Sequence, residues 1–196
     1  MLLLIIGLIV FLGFHMLRVV VPGFRASIIA VLTRPVWVIL YSIVSVATLA
    51  LLVYGFGQAR LASGGPLYVS PPWMTHVTVT LMLIALILLV SSLLPAGYIA
   101  TKTKHPMITS VKVWAIAHLL VNGEPYAIVT FVAFLAWAVV LRIAVKRRAR
   151  AGEITERPFV GAIWDLASVV IGLALAIALI MGLHMWLIGV PIAMGG

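Results

Sequence analysis

The sequence predicts an all-α integral membrane protein with six transmembrane helices in one bundle and both termini on the outer side. Three observations predict this fold: the composition, six apolar segments, and basic residues that are confined to one side. Hydrophobic residues make up 65% of the 196 positions, charged residues 9%, and the mean hydropathy is +1.30. A soluble domain would be about half apolar and about a quarter charged. The composition therefore indicates a lipid bilayer as the surroundings, with one transmembrane domain over residues 1–196.

Six apolar segments of helix length follow one another along the chain. The first has no basic residue before it and no small-x-small cleavage site after it, so we expect a retained anchor. The fourth begins with a His-Pro pair at His105 and ends with an Asn-Gly pair at Asn122, a typical helix start and stop. The sixth repeats a small residue at Ala174, Ala178 and Gly182, which would let another helix approach closely. The predicted spans are about Leu2–Val20, Val36–Phe56, His76–Leu94, Met107–Val121, Tyr126–Ile143 and Phe159–Ile188.

The charges predict the topology. Thirteen Lys and Arg against four Asp and Glu give a formal charge of +9. The loops after helices one, three and five, with the adjoining helix ends, hold every Lys and Arg except Arg60. By the positive-inside tendency these loops are cytoplasmic and both termini are outside. Topology and anionic lipid thus account for the charge, and we expect no nucleic-acid partner. The basic run Lys146–Arg150 is typical of a topology signal. The alternative is a patch that binds lipid headgroups or a partner.

All five histidines lie in or at the ends of apolar spans: His15, His76, His105, His118 and His184. At about 1.5 Å per residue, His15 lies roughly 9 Å and His118 roughly 16 Å from the cytoplasmic edge of a core about 30 Å thick. Two neutral imidazoles at similar depth on different helices are what a bis-histidine haem requires. The spacing leaves open that each histidine only donates a hydrogen bond to a neighbouring helix. A hydrolytic zinc site finds little support, because HExxH is absent and carboxylates are few.

Other side chains near these two histidines are candidates for cofactor contacts. Arg18 lies three residues beyond His15 at the cytoplasmic rim, where it would pair with haem propionates, and Lys112 is a second candidate. Trp114 lies one turn from the second imidazole, on the same face. His105 lies at a helix boundary. Its side chain would suit a helix cap, a contact with lipid headgroups, or a hydrogen bond to one of the metal ligands. His76 and His184 lie near the outer face, where amphipathic side chains are ordinary.

Asp165 is the only acidic residue within a predicted span. A buried charge needs a partner, so we expect an ion pair with a basic side chain, with Lys112 as the preferred partner and Arg142 or Arg18 as alternatives. A proton-relay role for Asp165 also stays open.

A series of motifs carries a resemblance that runs nearly end to end. Together these motifs resemble the NnrU family. The pieces are Phe14-His15-Met16-Leu17-Arg18, Leu40-Tyr41-Ser42, Tyr54-Gly55-Phe56-Gly57-Gln58-Ala59-Arg60, Pro71-Pro72-Trp73 with His76, His105-Pro106-Met107, Trp114-Ala115-Ile116-Ala117-His118-Leu119-Leu120-Val121-Asn122-Gly123 and His184-Met185-Trp186-Leu187-Ile188-Gly189-Val190.

The resemblance implies two classes of function. Bacterial members are similar to a membrane protein needed for nitrite and nitric oxide reductase function or expression in denitrification. The plant relative is 15-cis-zeta-carotene isomerase, in which haem b held by two histidines serves the isomerisation of a polyene; the matching positions here are His15 and His118. The resemblance thus implies haem b in a multi-pass protein of the bacterial inner membrane. The outer side, on which the charges place both termini, is then the periplasm. It implies either a cis-trans isomerase of a lipophilic polyene, or a redox, nitric-oxide-sensing or assembly factor with a reductase or electron-transfer partner.

Overall fold

The computed structural model describes residues 1–21 and 23–192, and the side chain of Arg18 lies outside that description. Within the described residues every regular element is helical, as predicted. The helices are α1 (Leu2–Val20), α2 (Phe24–Leu32), α3 (Arg34–Leu61), α4 (Met74–Leu93), α5 (Tyr98–Thr103), α6 (Pro106–Leu119), α7 (Pro125–Arg150), α8 (Ile163–Ala178), a π-helical turn (Leu179–Leu183) and α9 (His184–Ile188).

Within the described residues, four helical stretches are long and apolar enough to cross a membrane, which indicates a multi-pass membrane protein. The other two predicted spans are shorter. The apolar part of α1 is Leu2–Leu17. The 14 residues of α6 rise only about 21 Å, against a hydrocarbon core of about 30 Å. The four long stretches are Arg34–Leu61, Met74–Leu93, Pro125–Arg150 and Ile163–Ile188.

The chain divides into two compact units, and each is described by itself. The first contains Met1–Leu67 and Glu124–Ala133. The second contains Tyr68–Gly123 and the described residues from Phe134 onward. The single transmembrane domain over residues 1–196 stays a prediction.

In the first unit, α1 packs against α3 through glycines. A Cβ added at Gly7 would lie 2.7 Å from Cα of Leu52, and one added at Gly55 would lie 2.7 Å from the carbonyl carbon of Leu3. Real side chains do not tolerate such distances, so the two backbones touch because these positions lack side chains. The buried leucines of α1 recur every fourth residue on one face, at Leu4, Leu8 and Leu12.

In the second unit, α4 packs against both α6 and α8. Hydroxyl groups connect α4 and α6: Ser110 Oγ donates to Ala85 O at 2.7 Å, and Thr78 Oγ1 donates to Ala117 O at 3.1 Å. Such bonds satisfy polar groups between helices where water is excluded.

The close approach of α8 to α4 occurs at Gly172, where an added Cβ would lie 2.7 Å from Cγ1 of Ile87. Two of the small residues singled out in the sequence, Ala174 and Gly182, do not make this contact. Ala174 is exposed, and no heavy atom lies within 4 Å of a Cβ added at Gly182. The predicted repeat ran through the π-helical turn, which changes the angular spacing of residues, so Gly182 does not continue the face that Gly172 presents.

Replacing Gly55 by alanine tests the packing of α1 against α3. We expect Gly55→Ala to destabilise the protein by about 1–3 kcal/mol, because the new methyl group must push two backbones apart. Thermal unfolding in detergent measures the effect. Gly57→Ala is the matched control, since nothing lies within 4 Å of a Cβ at that position of the same helix. Equal unfolding temperatures for the two variants would contradict the packing described here.

Candidate functional site

His15 lies in the first unit, with its ring orientation set by its own helix. Nδ1 is 2.7 Å from Phe11 O. A carbonyl oxygen only accepts, so Nδ1 carries the proton, and in the neutral ring Nε2 carries the lone pair. The ring packs against Phe11 at a centroid distance of 4.3 Å and meets Tyr41 of α3 edge-on at 5.7 Å. These contacts fix an imidazole whose Nε2 has the chemistry of a metal ligand.

An aromatic cluster extends from this histidine. Phe14 stacks on Tyr41 at 4.7 Å, Tyr41 contacts Trp37 at 5.6 Å, and Trp37 contacts Phe24 at 6.1 Å. The cluster brings together side chains of α1, α2 and α3. It gives His15 a largely aromatic neighbourhood, which suits a flat, apolar ring system.

His118 lies in the second unit and repeats the arrangement. Its Nδ1 is 2.9 Å from Trp114 O, four residues earlier, so the proton again lies on Nδ1. The Trp114 ring is 5.2 Å from the imidazole and meets Phe134 edge-on at 5.3 Å. Asn122 Nδ2 donates to His118 O at 2.8 Å. As predicted for a helix stop, Asn122 therefore binds the end of the helix that carries His118.

The loop before α4 holds the end of α6. The Tyr68 hydroxyl donates to Asn122 O at 3.0 Å and also to Leu119 O, and the Ser70 hydroxyl donates to Leu120 O. The last carbonyls of a helix have no partner within the helix, so these side chains satisfy them. Gly123 is required here, because a Cβ would overlap Tyr68 O. The loop thus contributes to positioning His118.

A cavity of about 280 Å³ lies beside His118. His184 lines the same cavity, and its Nδ1 donates to Val190 O at 2.7 Å. From the sequence alone His184 is an ordinary residue near the outer face, and its place beside His118 is not predicted. The turn Leu179–Leu183 that precedes His184 is kinked, because Gly182 within it has a non-helical φ of 128°. The sequence pattern does not show this kink. The lining is mostly apolar: Thr75, Thr78, Val79, Met82, Leu86, His118, Val121, Asn122, Ala176, Leu179, Ile180, His184, Val190, Pro191 and Ile192.

Asp165 has partners that differ from the predicted ones. Its carboxylate accepts hydrogen bonds from the backbone N–H of Tyr98 at 2.7 Å and of Ile99 at 2.9 Å. The carboxylate therefore caps the first turn of α5, where N–H groups lack helical partners and the helix dipole favours negative charge. The predicted ion pair of Asp165 with Lys112 is not among those formed by the described side chains. The prediction paired Asp165 only with charged side chains, and a sequence does not show which backbone N–H groups a carboxylate will meet.

The remaining predicted residues lie at the other end of α6. His105 precedes α6, and its side chain makes no capping bond. Burial first, and then the positive charge of Arg142, lower the pKa of His105 below its usual value. Lys112 lies within electrostatic range of Arg142 and Lys146. The predicted contact of Arg18 with propionates falls on a side chain outside the described part of the chain.

The structure groups His118 with His184 and Trp114, while His15 belongs to the other unit. The predicted pairing of His15 with His118 across a haem stays a prediction. Among the described residues, no three His, Cys, Asp or Glu side chains come together as a metal-binding group.

Comparison with known proteins gives one match. The family model described as NnrU protein matches residues 3–192 of the chain. Neither the curated proteins nor the solved structures include a match.

Proposed function

Because the chain belongs to the NnrU family, we propose that it is a haem b protein of the bacterial inner membrane with His15 and His118 as axial ligands. The observation that carries the proposal is common to both residues. Each Nδ1 donates to the carbonyl four residues earlier, at 2.7 Å and 2.9 Å. Metal-binding histidines usually donate one ring N–H in this way, which orients the ring and leaves Nε2 for the metal. Haem supplies four nitrogens itself, so two such imidazoles fit its remaining positions.

The proposed topology has six spans and periplasmic termini. In addition to the four long helices, α1 and α6 cross the membrane in this proposal. The support is the distribution of charge, since Arg60 is the only basic residue outside the proposed cytoplasmic loops and adjoining helix ends. The helix α6 is short, and in this proposal the loop at its end completes the crossing. Tyr68 and Ser70 make this possible, because their hydroxyl groups satisfy the last carbonyls of α6.

For activity, we propose cis-trans isomerisation of a lipophilic polyene, the chemistry that the family resemblance implies. The cavity of about 280 Å³ supports an organic ligand. At roughly 30 Å³ per water it equals about nine waters, far more than a diatomic gas needs. It lies near the low end of ligand pockets, roughly 300–1,000 Å³, so it would hold a section of a long polyene. When bound, haem would supply iron chemistry at the polyene, and His15 and His118 would hold it.

The residues of the chain would perform three tasks in this reaction. His118 would hold the iron beside the cavity, oriented by its bond to Trp114 O. Apolar side chains such as Met82 and Ala176 would bind the polyene and exclude water. Thr78 lines the same cavity, but its hydroxyl is already bonded to Ala117 O and so presents little polarity to the ligand.

The topology can be tested by single-cysteine labelling, because the natural chain has no cysteine. We expect Gly64→Cys to react with a membrane-impermeant maleimide in spheroplasts, since it would lie in a periplasmic loop. Ala151→Cys, after α7, should react only after lysis. Both positions are exposed, so accessibility to the reagent is matched. The reverse pattern would reject the orientation, and labelling of both variants in intact spheroplasts would reject the number of spans.

The ligands can be tested by absorption spectra of the purified protein in oxidised and reduced states. We expect six-coordinate, low-spin haem in the wild type, and loss of haem or a high-spin spectrum in both His15→Ala and His118→Ala, because each removes an axial nitrogen. His76→Ala is the control, since His76 is exposed in the structure. A wild type without haem, or two variants with the wild-type spectrum, would disprove the assignment.

The isomerase proposal can be tested by filling the cavity. We expect Ala176→Phe to reduce isomerisation of a cis-polyene about tenfold or more, because the ring would occupy space that the polyene needs; a tenfold loss corresponds to about 1.4 kcal/mol. The measurement is chromatographic separation of isomers, with haem content recorded in parallel. Ala174→Phe is the control, because Ala174 is exposed on the same helix. Haem-loaded wild type that leaves the polyene unchanged would instead support the redox, nitric-oxide-sensing or assembly role beside denitrification reductases.

A further inference from the structure

The cavity beside His118 is elongated along α4. Its lining residues on that helix run from Thr75 to Leu86, a rise of about 16 Å at about 1.5 Å per residue. On the other side, along α8 and the turn after it, the lining runs from Ala176 to His184. The cavity is therefore a slot that follows the direction of these helices, and this name is kept for it below.

Helices α4 and α8 are antiparallel, and their contact closes one end of the slot. Near the start of α8, Asp165 accepts from the N–H of Tyr98, which follows the end of α4. About two turns later, Gly172 contacts α4, where an added Cβ would lie 2.7 Å from Cγ1 of Ile87. Positions thus fall along α4 as they rise along α8. The two backbones leave no room for a ligand at Gly172, so the slot begins beyond it.

Polar lining residues gather at the opposite end of the slot. On α4, Leu86 is the lining residue nearest the close contact, and it is apolar. At the far end, Thr75 on α4 and His184 on α9 line the slot together with Asn122, which follows α6. Thr78 lies between the two ends, but its hydroxyl is already bonded within the protein. The slot is thus apolar at its closed end and polar at the other, which suits an amphiphilic chain.

The hydrogen-bonding groups at the polar end are mainly acceptors. His184 Nδ1 donates to Val190 O at 2.7 Å, so the neutral ring keeps Nε2 as an acceptor. Asn122 Nδ2 donates to His118 O at 2.8 Å, and its Oδ1 only accepts. The Thr75 hydroxyl donates or accepts. A ligand that covers these acceptors without bringing a donor removes their bonds to water, so the polar end favours a ligand with a donor.

We propose that the slot binds a long-chain polyene alcohol, with the hydroxyl group at the polar end and the chain directed toward Leu86. The hydroxyl donates to Nε2 of His184. This inference rests on the proposed function, since it takes a polyene as the ligand of this cavity, and it adds the end group that the polyene carries. The proposed topology agrees with this orientation. Trp73, just before α4, is exposed as interfacial aromatic residues are, and a hydroxyl group is better placed near that interface than in the bilayer centre.

Binding of tritiated all-trans-retinol to the full chain in nanodiscs, with retinyl methyl ether as competitor, tests the end group. The ether has the same polyene but lacks the O–H donor, and partition into lipid is the same for every variant. We expect His184→Phe to lower the preference for retinol over the ether roughly twofold to tenfold, the worth of one hydrogen bond. His76→Phe is the control, because His76 is exposed and outside the cavity lining, and it should leave the preference unchanged.

Two further substitutions separate the acceptor from the bond to Val190. His184→Gln brings an amide oxygen near the position of Nε2, so we expect it to retain the preference for retinol. His184→Asn brings an amide N–H near the position of Nδ1 and restores only the bond to Val190 O, so we expect it to lose the preference. Thr75→Val removes a hydroxyl from the same end and leaves that bond intact. We expect it to lower the preference about twofold, and it keeps the test available if the His184 variants fail to fold.

Two outcomes would overturn the inference. One is an unchanged preference in His184→Phe. The other is an equal loss in the glutamine and asparagine variants, because His184 would then act through its bond to Val190 and not as an acceptor for the ligand. Haem absorbance and isomerisation are recorded on the same samples. Isomerisation of a hydrocarbon polyene without a preference for the alcohol would remove this inference and leave the proposed function standing, whereas a wild type that binds neither polyene would remove both.

Discussion

Several polar groups of this chain bind acceptors and donors that the chain itself supplies, because acyl chains offer none. Ser110 and Thr78 donate to carbonyls of neighbouring helices, and Asp165 accepts from the first amides of α5. Tyr68 meets a carbonyl at the end of α6. These bonds hold short helices and loops that hydrophobic contact alone would not orient, since acyl chains are as apolar as leucine. In the second unit these bonds connect α4 with α6, and α5 with α8.

The same constraint acts on the histidines. Each of His15, His118 and His184 donates from Nδ1 to a backbone carbonyl, which keeps the neutral ring satisfied on one side. A ring held in this way has one remaining nitrogen of defined character, and that nitrogen accepts or ligates. The bond that makes an imidazole tolerable in an apolar environment is therefore also the bond that prepares it to bind a metal.

The sequence predicted the parts of the structure that depend on local pattern. The bounds of α1 agree with prediction. The four long apolar helices overlap their predicted spans, with ends that differ by up to about seven residues, because hydrophobic runs, prolines and glycines act locally. The short α5 was not predicted, because its cap comes from Asp165, 66 residues away from Ile99. The partners of Asp165 and the contact at Gly172 were missed for the same reason, since both arise from tertiary packing. His184 was not placed beside His118 because a π-helical turn alters the helical spacing just before it.

The dependence of α5 on Asp165 bears on how the chain is assembled during synthesis. Tyr98 and Ile99 leave the ribosome 67 and 66 residues ahead of the carboxylate that caps them. Until α8 arrives, the start of α5 has no such acceptor, and the connection between α4 and α6 must rely on water or on headgroups at the membrane surface. Insertion of the last long helix therefore completes the ordering of an earlier segment, so the middle of the chain reaches its final arrangement only when its C-terminal part is in place.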